Sequence, residues 1–177
     1  MKNFSIKSFY EFCENINIAF LVIMVLVLFV FRAVSVDGDS MEPNLHHTDR
    51  LITTNLLYTP EKGDIVVIDK NNSLGKPLVK RIIATEGDTV KIDYMTGEVY
   101  VNGEMLNEDY IYEKINVDTS MPKFEIVVSE GHVFVMGDNR NDSLDSRSSE
   151  IGLVNTKNIL GKAILRVYPL SNIGVLK

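Results

Sequence analysis

The feature that most constrains this chain is an apolar run near its N-terminus. Residues 18–31 read IAFLVIMVLVLFVF, and after Arg32 the residues 33–36 extend the run. A helix over residues 18–36 is about 28 Å long, close to the ~30 Å thickness of the hydrocarbon in a bilayer. A helix that is apolar on every face suits lipid better than a protein core. The pattern therefore predicts a transmembrane anchor over residues 16–36.

Two other interpretations of the run stay open. A helix buried in the core of a soluble protein has the same composition, and Ala33-Val34-Ser35 matches the small-residue site at which a signal peptide is cleaved. Lys2 and Lys7 precede the run, whereas Arg32 and Arg50 follow it, so the basic residues alone do not fix an orientation. An uncleaved anchor fits best, because the run is longer than the apolar core of a signal peptide.

The sequence after the anchor predicts a mostly β fold. Short segments rich in Val and Ile recur between turn residues, at 64–69, 78–85, 89–94, 98–102, 124–128, 132–136 and 163–168. Met95-Thr96-Gly97 between two of them predicts a hairpin turn. We expect an N-terminal segment over residues 1–15, then the anchor, then a β-rich domain over residues 37–177 that resembles a sandwich or barrel. Residues 102–123 are polar and irregular, and predict an excursion from the core.

Composition excludes several classes of function. Eighteen Lys and Arg against twenty-four Asp and Glu give the 177-residue chain a net charge of −6, which is a poor match for nucleic-acid phosphates. Cys13 is the single cysteine, which excludes a disulfide framework and a Cys-rich zinc site. The three histidines form no H-E-x-x-H motif. We therefore expect no nucleic-acid partner, no metal and no cofactor.

Ser40 is a candidate nucleophile because it lies in a predicted tight turn. Its surroundings read VDGDSMEPNL, just beyond the predicted anchor. Gly38 permits unusual backbone angles and Pro43 lacks an N–H, so a non-helical turn that presents the hydroxyl is expected. A helix N-cap is the plainer role for such a serine, but a capping box requires Glu or Gln at position 43. A serine alone does not decide between these roles.

Lys80 is a candidate general base within a predicted strand. Period-two alternation places it on one face with Leu78, Ile82 and Ala84, and places Val79, Arg81 and Ile83 on the other. If the first face is buried, desolvation lowers the pKa of the amine and favours its neutral form. A lysine at a sheet edge, or one that extends to solvent, is the plainer alternative.

The densest polar cluster is GDNRNDSLDSR, over residues 137–147. It follows the predicted strand 132–136, so it leaves the sheet as a loop. Alternating acids and arginines can form ion pairs that fix the shape of such a loop. A solvated or cation-binding loop is the alternative, although the spacing of an EF-hand is absent.

Four short blocks in order behind one anchor make the chain resemble the bacterial type I signal peptidases. These are membrane-anchored Ser/Lys proteases that cut leader peptides from exported proteins. The blocks are Ser40-Met41-Glu42-Pro43, Gly63-Asp-Ile-Val-Val67, Lys80-Arg81-Ile-Ile, and Gly137-Asp-Asn-Arg followed by Ser143 and Asp145-Ser-Arg147. Each block alone is weak evidence, but the ordered set is specific. The short anchor and small domain resemble the Gram-positive branch.

The resemblance implies a serine endopeptidase in which Ser40 is the nucleophile and Lys80 the general base. It also implies that the backbone N–H of Ser40 binds the oxyanion, and that the hydroxyl of Ser143 orients the lysine. The residues that brace the loop by the same likeness are Asp138, Arg140, Asp145 and Arg147. No metal or cofactor takes part in this chemistry.

The resemblance further implies substrates, partners and location. The expected substrates are exported preproteins cut at Ala-x-Ala-like sites, with the substrate extended beside the segment that carries Lys80. The expected location is the cell membrane, with a single span, a cytoplasmic N-terminus, an extracytoplasmic catalytic domain and the lipid bilayer as a partner.

Two positions depart from the family pattern, and two rival functions remain. Gly38 stands where many members carry a hydroxyl residue that donates to the oxyanion, and Asn44 stands where Thr is usual. A self-cleaving repressor-type Ser/Lys protease shares the expected fold, but it requires a DNA-binding N-terminal domain. An anchored adaptor that only binds leader peptides is the rival without catalysis.

Overall fold

The computed structural model describes residues 6–70, 74–121 and 123–176. The chain divides into two compact units, Met1–Arg32 and Ala33–Lys177. The first unit holds the helix α1, which spans Ile6–Val30. By length and composition its residues Ile6–Leu28 could cross a membrane, and none of the most apolar window is buried within the structure. The alternative of a buried core helix is therefore not supported.

The extent of the helix corrects the prediction for the end of the apolar run. Residues 18–36 were expected to be helical, but α1 ends at Val30 and the strand β1 spans Phe31–Ser35. Val36, which follows, is buried, and its N–H donates to the carbonyl of Asp49 at 2.8 Å. Because Val36 packs into the core of the second unit, the chain leaves the helix before this residue.

The rest of the described chain is rich in short strands and contains two short 3₁₀ helices. After β1 the strands are β2 (Arg50–Thr54), β3 (Ile65–Ile68), β4 (Leu78–Thr85), β5 (Thr89–Asp93), β6 (Glu98–Val101), β7 (Glu104–Met105), β8 (Phe124–Val127), β9 (His132–Met136), β10 (Val154–Asn155), β11 (Ile159–Tyr168) and β12 (Gly174–Val175). The 3₁₀ helices span Thr156–Asn158 and Leu170–Asn172. An apolar N-terminal helix followed by a mostly β domain is the predicted fold class, which is confirmed.

The strands form two sheets. The larger has eight strands in the order β1-β2-β11-β3-β4-β9-β10, with β12 paired to β11. The smaller has four strands in the order β7-β6-β5-β8. The predicted hairpin between β5 and β6 is present, since β5 pairs antiparallel with β6 from Val90↔Val101 to Asp93↔Glu98. The predicted segments match seven of these strands, and five were not predicted: β1, β2, β7, β10 and β12.

Three apolar clusters form the core, and one of them joins the two sheets. This cluster brings Val90 and Ile92 of the small sheet against Phe134 and Met136 of the large one. A second cluster lies around Val66, Ile82 and Val135. The third consists of Val36, Met41, Leu45, Leu51, Ile65 and Ala163, so it includes the segment that carries Ser40.

The polar stretch at residues 102–123 is irregular in the structure. Apart from Glu104–Met105, its described residues form neither helix nor strand. Ile115 fixes the stretch by packing into the cluster between the sheets. The excursion is therefore attached to the core rather than projecting from it.

Candidate active site

Ser40 lies in a tight turn whose apolar side chains pack into the core. The N–H groups of Asn44 and Leu45 both donate to the carbonyl of Met41, at 3.0 and 2.9 Å. Met41 and Leu45 are buried, whereas Ser40 is only partly buried. The turn is thus held by its buried residues and leaves the Ser40 hydroxyl accessible.

Lys80 meets that hydroxyl from β4. Its Nζ lies 2.6 Å from Ser40 Oγ, within direct hydrogen-bond distance. Lys80 pairs with Val66 across β3 and β4 and is only 3% exposed. The predicted burial of this face is confirmed for Leu78, Lys80 and Ile82. The alternation fails at Ala84, because a register shift between Ile82 and Ala84 places Ala84 in the cluster that joins the sheets.

Burial lowers the pKa of Lys80 from 10.5 to about 8. The carboxylate of Asp145 opposes this effect, since a nearby negative charge favours the ammonium, and Arg147 reinforces it. A substantial fraction of the amine is therefore neutral in mildly alkaline solution. A neutral amine in contact with a serine hydroxyl can accept its proton.

Asp145 and Arg147 form a buried ion pair beside Lys80. Arg147 Nε and Nη2 each donate at 2.8 Å, to Oδ1 and Oδ2 of Asp145, and the N–H of Gly137 donates to Oδ2 at 3.0 Å. Burial alone would raise the pKa of Asp145, but these hydrogen bonds and the charge of Arg147 hold it below its usual range. Asp145 is therefore an ionised carboxylate that Arg147 neutralises.

Gly137 of the polar loop packs closely against both Ser143 and the Ser40 turn. A Cβ at Gly137 would overlap both the Ser143 hydroxyl and the Ser40 carbonyl, so only glycine fits. Ser143 Oγ is buried, and no hydrogen bond of good geometry reaches it among the described residues. It is nevertheless near enough to Asp145 to help lower the pKa of that carboxyl.

Arg81 is a member of the site that the sequence did not single out. Its Nε and Nη2 donate to the two oxygens of Asp138 at 2.8 and 2.7 Å, and Nη1 donates to the carbonyl of Gly63 at 2.7 Å. The guanidinium also stacks on the ring of Tyr110, 4.3 Å from its centroid. The guanidinium of Arg81 and the carboxylate of Asp138 thus form a buried fork. Through it and through the bond to Gly63, β4 is linked to the polar loop and to the Gly63 block.

Asn44 connects the Ser40 turn to the same fork. Its Nδ2 donates to Asp138 Oδ2 at 2.8 Å and to the carbonyl of Tyr110 at 2.6 Å. Its carbonyl accepts from Arg166 Nη1 at 2.9 Å. The departure from the usual Thr therefore has a structural consequence, because Asn44 bridges three parts of the chain.

Arg140 attaches the polar excursion to the loop. Its Nε donates to the carbonyl of Gly137 at 3.1 Å, and its Nη2 forms a buried ion pair with Glu108 of the excursion. The N–H of Tyr112 adds a bond to the Asp138 carbonyl at 3.1 Å. Glu108 was not predicted as a partner, because no local pattern links positions 108 and 140.

The backbone N–H groups of Ser40 and Gly38 differ in their hydrogen bonding. Among the described residues no hydrogen bond is recorded from the Ser40 N–H, whereas the Gly38 N–H donates to Nδ1 of His47 at 3.1 Å. The Ser40 amide is thus available to a ligand, and the Gly38 amide is engaged. Within the described ranges no group of three His, Cys, Asp or Glu side chains is placed to hold a metal ion.

Comparison with known proteins identifies the family. A family model described as signal peptidase, peptidase S26, matches residues 9–168. The chain belongs to this family. The probable signal peptidase I-1 of Synechocystis sp. is 36% identical over 190 residues, covering 99% of this chain and 93% of the relative. The signal peptidase I of Bacillus licheniformis is 34% identical over 176 residues, covering 94% and 92%.

A solved structure is also similar. The crystal structure of a signal peptidase I from Enterococcus faecalis V583 shows 32% sequence identity and a TM-score of 0.47, over 59% of this chain and 97% of that one. The family membership confirms the prediction of a serine endopeptidase that cleaves signal peptides from preproteins. The N-terminal apolar helix fits a membrane-anchored enzyme.

The buried amine predicts a gain in stability when it is removed. Burial in the native protein lowers the pKa of Lys80 to about 8, from the ordinary value of 10.5 that applies in the unfolded chain. A buried ammonium therefore destabilises the fold at and below pH 8. We expect Lys80→Met to raise the free energy of unfolding at pH 7, by on the order of 3 kcal/mol at most. The gain should shrink as the pH rises from 8 towards 10.5.

Unfolding of the full chain in detergent, followed at pH 7 and pH 9.5, measures this effect. Lys157→Met is the matched control, since Lys157 is exposed and should show no such pH-dependent gain. A Lys80→Met variant that is less stable than the wild type at pH 7 would contradict the expectation.

Proposed function

We propose that Ser40 is the nucleophile of the peptidase and Lys80 its general base. The observation that carries this proposal is the 2.6 Å contact between Lys80 Nζ and Ser40 Oγ, made by an amine whose pKa burial lowers to about 8. The plainer roles for both residues fit less well. Lys80 is buried rather than extended to solvent, and Ser40 lies in a turn rather than at a helix N-terminus.

The proposed reaction has two stages. In the first, neutral Lys80 accepts the Ser40 proton while Oγ bonds to the scissile carbonyl carbon, and the resulting ammonium then donates that proton to the leaving amine. In the second, a water molecule attacks the acyl-enzyme, Lys80 takes its proton, and Ser40 leaves with a proton returned from the lysine. The backbone N–H of Ser40 is the proposed donor to the oxyanion in both stages.

The supporting residues act on Lys80 and on the loop. Ser143 is proposed to orient the lysine, which agrees with its buried hydroxyl next to Gly137. Arg147 neutralises Asp145, and without this neutralisation the carboxylate would favour the ammonium form of Lys80. Asp138 and Arg140 are proposed to brace the loop through their ion pairs with Arg81 and Glu108. These two pairs hold the loop on β4 and on the excursion.

The proposed substrate position is the free edge of β4. Strand β9 pairs with β4 only from Arg81↔Met136 to Thr85↔Val133, whereas β3 pairs with residues 78–81 on the other side. Next to Lys80, β4 thus has no described partner on the β9 side. An extended peptide can add there as a strand, which brings its scissile carbonyl towards Ser40. Ala-x-Ala-like cleavage sites in exported preproteins are the proposed targets.

The proposed arrangement in the cell is a single span. Residues 1–15 are cytoplasmic, residues 16–36 contain the anchor, and residues 37–177 form an extracytoplasmic catalytic domain, with the lipid bilayer as partner. The apolar helix supports the span, and exported substrates require an active site on the outer side.

Substitution of the two central residues tests the proposed roles. Ser40→Ala and Lys80→Ala should each lower the rate of cleavage of a model preprotein in detergent by about a thousandfold or more. Ser149→Ala and Lys157→Ala, both on exposed side chains, are the matched controls and should cleave normally. Normal cleavage by Ser40→Ala would place the nucleophile elsewhere. Binding without cleavage by the wild type would favour the adaptor.

Burial of Lys80, and to a lesser degree the charge of Arg147, should determine the pH at which the enzyme becomes active. In the wild type, kcat/KM should rise through pH 8 as Lys80 loses its proton. Arg147→Met removes a cation that lowers the pKa of Lys80, so the rise should move to higher pH, whereas Arg147→Lys keeps the charge and should move it less. Arg50→Met is the control. A rate that is flat from about pH 6 to 10 in the wild type would contradict a titrating lysine.

Labelling of single cysteines tests the orientation. In a Cys13→Ser background, a membrane-impermeant maleimide should label Ser171→Cys in intact cells. It should label Lys2→Cys only after the membrane is permeabilised. The opposite pattern would reverse the proposed topology, and labelling of both positions in intact cells would argue against a span.

A further inference from the structure

The loop that carries Ser40 is closed at its base by backbone hydrogen bonds. The N–H of Val36 donates to the carbonyl of Asp49 at 2.8 Å, and the N–H of Thr48 donates to the carbonyl of Val36 at 3.0 Å. Thr48 has a φ of 73°, in the left-handed region that a β-branched residue rarely adopts. Such a conformation persists only where its surroundings hold it, so the backbone of Thr48 is strained where the loop closes.

A third hydrogen bond also closes the loop that carries Ser40. It lies nearer to Ser40 than the first two, and its acceptor is a side chain. The N–H of Gly38 donates to Nδ1 of His47 at 3.1 Å. A ring nitrogen accepts a hydrogen bond only through its lone pair, so this bond requires a neutral ring with its hydrogen on Nε2. Gly38 lies two residues before Ser40. The bond therefore links the protonation state of His47 to the backbone that leads into the Ser40 turn.

Protonation of His47 would reverse the polarity of this contact. Nδ1 would then carry a hydrogen and would face the Gly38 N–H donor to donor, so the bond would be lost. A second acceptor is at hand, because Oδ1 of Asp37 lies 3.6 Å from the same Nδ1. The imidazolium would turn to this carboxylate, which gives the ring two distinct arrangements.

Two charged groups among the described residues surround His47. Asp37 faces the ring, and Lys76 approaches the other oxygen of Asp37 at 3.3 Å. His46, the next histidine, pairs instead with Glu42 at 3.2 Å and makes no recorded contact with Gly38. His46 therefore provides a neighbouring histidine with similar exposure and a different partner.

We propose that His47 is a positioning residue for catalysis, whose neutral imidazole holds Gly38 and thereby the Ser40 turn. Protonation of His47 releases Gly38 and lowers the rate of cleavage in acid. This proposal rests on the proposed role of Ser40 as nucleophile. Histidine is the side chain that ordinarily changes charge between about pH 5 and 8, so the effect adds to the loss caused by protonation of Lys80.

Kinetics of His47→Gln test the proposal. Between pH 7 and pH 5 the full-length wild type in detergent should lose about tenfold more of its kcat than His47→Gln loses, with KM changed little, because the turn acts on the chemical step. His46→Gln should follow the wild type. An equal loss in wild type and His47→Gln, or the same change in His46→Gln, would overturn the proposal.

A spectroscopic measurement tests the contact itself. Asp37-Gly38 is the one Asp-Gly pair in the sequence, so labelling with ¹³C-carbonyl Asp and ¹⁵N-Gly isolates a single amide signal. That signal should shift between pH 5 and 8 in the wild type and in Ser40→Ala, but not in His47→Gln. A signal that does not move in the wild type overturns the role of His47, whatever the role of Ser40. Cleavage by Ser40→Ala would instead refute the proposed nucleophile.

Discussion

Burial of one amine against one hydroxyl is the constraint on which the rest of this structure depends. Lys80 sits in a face of β4 that is apolar except at this position, and its Nζ reaches Ser40 Oγ at 2.6 Å. Burial that makes the lysine a base also costs stability whenever it is protonated. The surrounding structure must therefore hold Ser40 at the end of the lysine without offering the ammonium a strong carboxylate partner.

The carboxylates of the site meet this requirement because each is paired with an arginine. Asp138 is bound by Arg81, Asp145 by Arg147, and Glu108 by Arg140. These ion pairs are buried or nearly so. The pairs of Asp138 and Glu108 join distant parts of the chain, whereas Asp145 and Arg147 lie two positions apart in the same loop. The same contacts thus fix the loop against β4 and reduce the negative charge that Lys80 experiences.

Local pattern predicted the elements of this site but not their connections. The alternation of β4 sends Lys80 towards Ser40 and Arg81 to the opposite face, and the run of apolar residues predicted the helix, because both depend on neighbours in sequence. The partners of Arg81 and Asn44 lie 57 and 94 positions away, so no periodicity identifies them. The predicted end of α1 was wrong for a similar reason. Val36 packs into an apolar cluster whose other members lie outside the apolar run, so the run itself does not indicate this contact.

The turn that carries Ser40 is fixed from several sides, and Gly38 and Asn44 take part in this. Asn44 holds its far end to Asp138 and Tyr110, whereas the Gly38 N–H is bound to His47 at its near end. A glycine at position 38 contributes a backbone donor and a φ of 93°, where a side chain would be strained. Gly38 and Asn44 therefore hold the two ends of the Ser40 turn through hydrogen bonds. The two contacts differ in kind, because position 44 uses a side-chain amide and position 38 a backbone N–H.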